Sequence, residues 1–177
     1  MGGVCLVGDR LRLREFAPTD EPALHAIVGD PEVTAYTLWG PNERTDTRAF
    51  LATAVAQSDR PEARVGYHLA AVDPEDQLAG SAVLDVESTS HGRAVVGVVV
   101  APEHRGLGYA GEALRLMLDF GFGQLGLHRI SALCHPAHRA GAHVLEKAGL
   151  RLEGTLRGYK RVRGEWLDSL LYARVGG

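Results

Sequence analysis

The sequence predicts one mixed α/β domain: a mostly antiparallel sheet that carries helices and is divided by a central β-α crossover. Three observations lead there. Residues 64–100 hold the apolar runs RVGYHLAAV, LAGSAVLDVE and AVVGVVV, separated only by the turns DPEDQ and STSHGR. Parallel strands need connections of about a dozen residues or more, so these runs form an antiparallel meander. The third run then passes through Pro102 into a glycine-rich turn and an amphipathic stretch, giving strand, turn and helix in succession. Helical periodicity also fills the chain before the meander, and a pair of alternating runs closes it. A length of 177 residues suits a single domain over 1–177 and suffices to bury a core without disulfide or metal staples.

Taken in order, residues 10–16 (RLRLREF) alternate Leu11 and Leu13 with Arg12 and Arg14, the period of a half-buried strand that ends before Pro18. Thr19, with Glu21 and Pro22 in the first turn, opens a helix whose stripe is Leu24, Ile27 and Val28, and Gly29 stops it. The aromatic segment AYTLWG puts Tyr36 and Trp39 either in the core or on the wall of an acceptor pocket. Residues 42–59 form a second helix, with Phe50, Leu51, Ala54 and Val55 at helical spacing and Pro61 beyond its end. After the meander, residues 109–125 form a helix with a broad face of Ala113, Leu114, Met117, Leu118 and Phe120. HRISALCHP is a strand, residues 139–148 are a helix ended by Gly149, and residues 150–162 and 164–175 close as a hairpin turned at Arg163 and Gly164. The order is β, α, α, β, β, β, α, β, α, β, β.

A hydrophobic fraction of 45% and a charged fraction of 23% are those of an ordinary globular chain, and a formal charge of -3 offers no basic face for general nucleic-acid binding. No segment reaches the ~20 apolar residues that span a bilayer, and the N-terminus lacks a signal-peptide pattern. The two cysteines, Cys5 and Cys134, lie far apart without zinc or disulfide spacing, which points to a reducing cytoplasm and to Cys134 as a small buried thiol. The histidines show no ligand spacing, so no metal is expected.

The glycine turn holds the densest chemical signal. Residues 106–111, GLGYAG, satisfy G-x-G-x-x-G between a strand and a helix, the dinucleotide-binding pattern. That pattern wants an acidic residue about 20 positions on, where this chain has Ile130, Ser131 and Ala132 in an apolar strand, and it wants a parallel sheet. A dinucleotide-binding protein is therefore a distant alternative. The same turn, Arg105-Gly106-Leu107-Gly108-Tyr109-Ala110, also spells R-x-x-G-x-A. Consecutive amides at a helix N-terminus, glycines that let backbone come close and the charge of Arg105 suit a pyrophosphate. A ligand-free strand-to-helix turn would account for the glycines alone.

R-x-x-G-x-A resembles the acyl-CoA signature of the GCN5-related N-acetyltransferases, the GNAT superfamily, and the likeness runs along nearly the whole chain. The segments LRLREF, DPEV at 30–33, APEHRGLGYAGEAL, LGLHRI at 125–130, VLEKAGL at 144–150, and EGTLRGY with GEWLDSLLYARV look like the RimJ/RimL type of ribosomal-protein N-terminal acetyltransferase. The resemblance implies a single-domain GNAT fold in which two neighbouring parallel strands, residues 94–101 and 128–135 (the fourth and fifth predicted), splay apart. The pantetheine arm of acetyl-CoA then bonds the free backbone of Val98, Val99 and Val100, a small-molecule form of strand addition. Arg105, Gly106, Leu107, Gly108, Tyr109 and Ala110 would seat the pyrophosphate, with His138 beside the cofactor. The acceptor implied is a primary amine, a protein N-terminus or an amine-bearing small molecule such as an antibiotic, attacking the thioester directly. A cytoplasmic enzyme is expected, and a homodimer is compatible with the family.

The pattern is broken where proton transfer would occur. Where the family commonly keeps a strand glutamate this chain has Val95, and in its version of D-P-x-N-x-x-S, His135-Pro136-Ala137-His138-Arg139-Ala140-Gly141, His138 replaces the asparagine and Gly141 the serine. An amine of pKa about 8 to 10 is mostly protonated at neutral pH and only its free base attacks, so an acceptor for that proton is needed. His135, at the end of its strand beside the expected splay, is the first candidate base; His68, His91 and His138 are weaker ones. Tyr159 is a candidate acid for the departing thiolate, or else an aromatic of the last hairpin. Tyr36, Trp39 and His68 are the candidate acceptor-pocket residues. Holding amine and thioester together, with solvent carrying protons, is a further route. The alternative function is an acyl-CoA-binding protein with weak, lost or redirected transferase activity.

Overall fold

The structure, a computed structural model, describes residues 3–177. One eight-stranded sheet is built from β1 (Cys5–Val7), β2 (Arg12–Glu15), β3 (Gly66–Val72), β4 (Leu78–Ser88), β5 (Arg93–Val100), β6 (Arg129–Cys134), β7 (Arg151–Val162) and β8 (Glu165–Val175), in the spatial order β1-β2-β3-β4-β5-β6-β8-β7. Every neighbouring pair is antiparallel except β5 and β6, which are parallel. The mixed, mostly antiparallel sheet with its central crossover is thus as predicted, and a doubly wound parallel sheet is excluded. The three-residue β1 has no counterpart in the predicted order, being too short to show a period.

Alternation within the strands divides the sheet into two faces. Leu69, Ala71, Ala82, Leu84, Ala94 and Val96 point to one face, where α3 (Tyr109–Asp119) lays Ala113, Leu114, Met117 and Leu118 on them and α4 (Arg139–Lys147) packs alongside. Ala70 and Val72 point to the other, where α1 (Glu21–Val28) and α2 (Arg44–Ser58) bury Leu24, Val28, Leu51 and Ala54. Each large aliphatic side chain so buried contributes about 1.5–3 kcal/mol, so both helix pairs are held by packing. His68, Val83, Asp85, Val95, Gly97 and Val99 share the α1/α2 face, because register pairs His68 with Val83, Asp85 with Val95, and Val83 with Gly97.

Two local details differ from the expected ones, the start of α1 and the end of α3, while the turn of the last hairpin is as expected. α1 begins at Glu21 after a 3-10 turn over Pro18–Asp20. The carboxylate of Asp20, not Thr19, caps that turn: it accepts the Ala17 N–H at 2.8 Å and both guanidinium nitrogens of Arg14. The helix predicted over 109–125 is α-helical only to Asp119 and then widens into a π turn over Phe120–Gln124. Gly121 in that turn meets Ile130 so closely that a Cβ there would lie 2.6 Å from Cδ1. The last hairpin turns at Arg163 and Gly164, with φ of 52° and 86°, the double positive φ of a two-residue turn.

Candidate active site

The site is organised by the place where the sheet splits. β5 and β6 are paired only through Arg93–Arg129, Ala94–Ile130 and Val95–Ser131, after which β5 runs on to Val100 and β6 to Cys134 without pairing. The apex of the split is therefore Val95 beside Ser131. The Ser131 hydroxyl, buried, donates to the Ala94 carbonyl at 3.3 Å. On its other side β5 remains fully paired with β4, and Ala101 N–H donates to Ala79 at 2.8 Å. Antiparallel ladders alternate, so Val99 also turns its peptide groups to β4 while Val96, Val98 and Val100 turn theirs into the split. Of the three predicted backbone contributors, Val98 and Val100 have free groups there and Val99 does not.

The free edge of β5 leads to the glycine turn. Gly106 and Gly108 have φ of 77° and 81°, and Gly108 is the N-cap residue of α3. These left-handed values need glycine, and they bring Tyr109 and Ala110 into the first turn of α3, whose N-terminal amides face the cradle. A Cβ built on Gly106 would meet nothing within 4 Å, and Leu107 is 52% exposed. The turn is open on its outer side and fits a bulky anion. Arg10 belongs to it as well: a Cβ at Gly108 would lie 3.6 Å from its Nη1. The buried Glu112 holds Arg10, accepting its N–H at 2.8 Å and its Nη1 at 3.1 Å, and accepts the Leu11 N–H at 3.4 Å. Burial alone would raise the Glu112 carboxyl, but these hydrogen bonds outweigh it and hold it below the usual carboxylate range. Tyr109 stacks on His104 with ring centroids 5.3 Å apart.

At the mouth of the split the loop between α1 and α2 crosses to the far strands. Arg105 is paired with Glu32 of that loop at 2.6 Å. Tyr36 stacks on His138, with centroids 4.8 Å and planes 10° apart, and leans on His135 at 5.5 Å. Burial, with Arg105 and His135 adding to it, pushes the His138 imidazole below its ordinary range. Gly141 explains how His138 fits, since a Cβ at that position would lie 2.5 Å from its Nδ1. The two departures at 138 and 141 are therefore one structural change: the ring folds back over the space a serine would occupy. The guanidinium of Arg163, at the hairpin tip, donates to the carbonyls of Thr34 (3.2 Å), Gly40 (3.1 Å) and Ala35 (3.4 Å), latching the loop that carries Tyr36 and Trp39. Trp39 is 38% exposed.

The predicted site residues thus fall into separate groups. His135, His138, Tyr36 and Arg105 come together at the mouth, where His135 Nδ1 accepts the Ala137 N–H at 3.1 Å. His135 stands four residues beyond Ser131, roughly 13 Å along the strand from the apex. Tyr159 is 48% exposed on the edge strand β7, with β8 between it and β6. His68 lies on the α1/α2 face, stacked flat on Phe50 of α2 with centroids 5.2 Å apart, and its Nε2 is 2.7 Å from Asp85 Oδ1. Cys134 is buried, which pushes its thiol up, away from thiolate chemistry. Sequence reasoning missed Asp85, Arg10 and Glu32. Among the described residues no group of His, Cys, Asp and Glu has the geometry of a metal site.

A split parallel pair whose free edge leads toward a glycine turn at a helix N-terminus is an arrangement suited to an extended, phosphate-bearing ligand. The acetyltransferase (GNAT) domain model matches residues 10–151, and the chain belongs to that family. It is 30% identical to the uncharacterized N-acetyltransferase YnaD of Bacillus subtilis over 93% of this chain and 92% of that one. A GNAT-family acetyltransferase of Bacillus anthracis superposes with a TM-score of 0.85 at 29% identity, covering 97% and 98% of the two chains. The ribosomal L7/L12 α-N-protein acetyltransferase RimL, solved in complex with coenzyme A, also gives a TM-score of 0.85 over 98% of both chains, at 18% identity, and so shares the fold. The chain is an N-acetyltransferase, and acetyl-CoA is the donor that this family's reaction uses.

Proposed function

We propose that this chain transfers the acetyl group of acetyl-CoA to a primary amine by direct attack of the amine on the thioester. The single observation that carries the reading is the continuity of the split with the cradle. Unpaired groups of Val96, Val98 and Val100 lead, through the single 3-10 turn over Pro102–His104, to Gly106, Gly108 and the N-terminus of α3. The diphosphate would lie on the amides from Gly106 to Ala110 with Arg105 and Arg10 near it, and the arm would run back along β5 toward Val95. His138 and Tyr36 would close over it at the mouth. The acceptor would approach from the α1/α2 face, where Gly97 leaves the strand bare of a side chain and a Cβ there would meet only Val83, at 3.3 Å.

The acceptor is a primary amine, and a protein N-terminus of the RimJ/RimL kind is the first to test, on the segment likeness described above. The test has two parts: acetyl-CoA titrated calorimetrically into the protein, then thiol release followed against butylamine, spermidine and peptides with free N-termini. Failure to bind acetyl-CoA overturns the reading. Binding without thiol release from any amine favours acyl-CoA binding with lost transfer. Release with peptides but not with the small amines assigns a protein acceptor.

A further inference from the structure

The carboxylate missing from Val95 is present on the strand next to it. Asp85 of β4 stands directly opposite Val95 in the antiparallel register, on the α1/α2 face from which the acceptor would come. Opposite residues of such a pair have Cβ atoms about 4.5–5.5 Å apart, so Asp85 reaches the same apex from across one strand spacing. Its side chain is 57% exposed, while that of its partner His68 is 14% exposed. His68 Nε2 lies 2.7 Å from Oδ1, and the ring is fixed by the stack on Phe50. Two glycines keep the place clear. A Cβ on Gly66 would lie 3.2 Å from Asp85 Oδ1 and 3.3 Å from His68 Nε2, and Gly97 puts no side chain beside Val95. What sets this pair apart is its place, at the one point where the sheet opens.

We propose that Asp85, oriented by His68, binds the acceptor's ammonium at the apex and takes its proton. This rests on the acetyl-transfer reading. The ammonium gives one proton to Asp85, which passes it to water. The nitrogen lone pair forms the C–N bond to the acetyl carbon, the C–S bond breaks with its electron pair leaving on sulfur, and the second proton lost from nitrogen ends on that sulfur. His68 is a positioning residue: its Nε2–H would donate to Oδ1, leaving Oδ2 for the ammonium. His135, at the other end of the free edge beside the anion seat, is too far from the apex for this step. The titratable and charged groups around Asp85 are the imidazole of His68 on β3 and, past Gly66, Arg64, which donates to the Gly66 carbonyl and is paired with Glu15.

The test is Asp85→Asn, which keeps shape and an acceptor for His68. General-base loss typically costs 10²–10⁴ in rate, so kcat at neutral pH falls about 100-fold or more while acetyl-CoA affinity by calorimetry is unchanged. Butylamine, or whichever panel amine reacts fastest, binds the CoA-saturated variant at least about threefold more weakly, a readout independent of turnover. The variant's rate climbs roughly tenfold per pH unit toward the amine's own pKa of about 10, as bulk deprotonation replaces the missing base. His68→Phe keeps the stack and lowers kcat less, and combined with Asp85→Asn it adds no further loss, because it acts through Asp85. Wild-type protein that releases no thiol with any amine overturns the acetyl-transfer reading itself. With active wild type, an Asp85→Asn variant within about threefold of it at neutral pH overturns the Asp85 assignment alone, and a steep loss in His135→Ala beside it moves the base to His135.

Discussion

The cradle arginine is already occupied, and that gives a prediction with a definite sign. Arg105 and Glu32 pair at 2.6 Å with side chains 45% and 69% exposed. An exposed pair of this kind is worth about 0–1 kcal/mol. A phosphate arriving at the turn competes with Glu32 for the guanidinium and is also repelled by the carboxylate. Glu32→Gln removes both effects. If the full exchange is felt, about 1 kcal/mol converts to a CoA affinity roughly fivefold tighter. The gain shrinks toward nothing as salt shortens the screening length from about 10 Å at 0.1 M to about 3 Å at 1 M. Calorimetric titration of CoA at the two salt concentrations measures it. In an Arg105→Ala background, which itself weakens binding, Glu32→Gln loses most of its effect because the pairing part is gone. A Glu32→Gln variant that binds CoA more than about threefold weaker at low salt would refute the competition and show that Glu32 holds Arg105 in its binding pose.

Three more outcomes follow from the same geometry. Gly108→Asp places a side chain at φ 81° and a negative charge in the anion seat; it should fold, with Arg10 close enough to pair with it, yet lose CoA affinity tenfold or more by calorimetry. Arg163→Gly keeps the left-handed turn but removes the donors to Thr34, Ala35 and Gly40; with charged-group hydrogen bonds worth about 1.5–3 kcal/mol at most and less where exposed, the acceptor KM should rise several-fold with CoA affinity held, as read by steady-state kinetics. Glu112 has a carboxyl held below its unfolded value, so its contribution to stability is present above the unfolded pKa of about 4.3 and is lost as pH falls through the folded one. Glu112→Gln should therefore flatten the fall of melting temperature between about pH 5 and pH 2, while lowering stability at neutral pH because Arg10 loses a charged partner.

The meander and the closing hairpin were legible because their signals are local. The turns DPEDQ and STSHGR bracket the strands, and a positive-φ pair at Arg163 and Gly164 is what a two-residue hairpin demands. The glycine turn was legible for the same reason, since the left-handed φ of Gly106 and Gly108 leaves a mark in the sequence. What stayed hidden depends on register or on contacts between distant segments. LAGSAVLDVE shows that Leu84 and Asp85 face opposite ways, but it does not show that Asp85 stands against Val95. That pairing depends on the length of the turn after it and on the bulge between Val86 and Ser88, and a slip of one residue would send Asp85 to the other face. Glu32 and Arg105 are 73 positions apart, and Arg10 and Glu112 are 102; no spacing rule reaches so far. The π turn after α3 escaped because nothing in the run FGFGQ distinguishes a widened turn from a continued α-helix.

The absence of a side chain at Gly66 allows the Asp85 assignment to be tested without touching either partner. Gly66 stands opposite Asp85 on β3, two residues from His68, and its φ lies outside the left-handed region, so alanine is accommodated by the backbone. The added methyl would sit 3.2 Å from Asp85 Oδ1 and 3.3 Å from His68 Nε2, with Gln57 Cδ at 3.6 Å behind it. The neighbours must give by a few tenths of an ångström, and the exposed Asp85 carboxylate is freer to move than His68, which is pinned against Phe50. Gly66→Ala should therefore stretch or break the 2.7 Å hydrogen bond and swing the carboxylate away from the apex. Small displacements of a catalytic group can cost on the order of 100-fold. A kcat loss of about tenfold or more, with CoA affinity held and melting temperature not lowered, is the expected result in thiol-release kinetics. Glycine-to-alanine substitution in a strand otherwise tends to stabilise by restricting the unfolded chain, about 0.4–1 kcal/mol, so a purely structural role for the pair would show as a change in stability with turnover intact. That second pattern would remove Asp85 and His68 from the chemistry, because the same methyl would then have disturbed their geometry without disturbing the reaction.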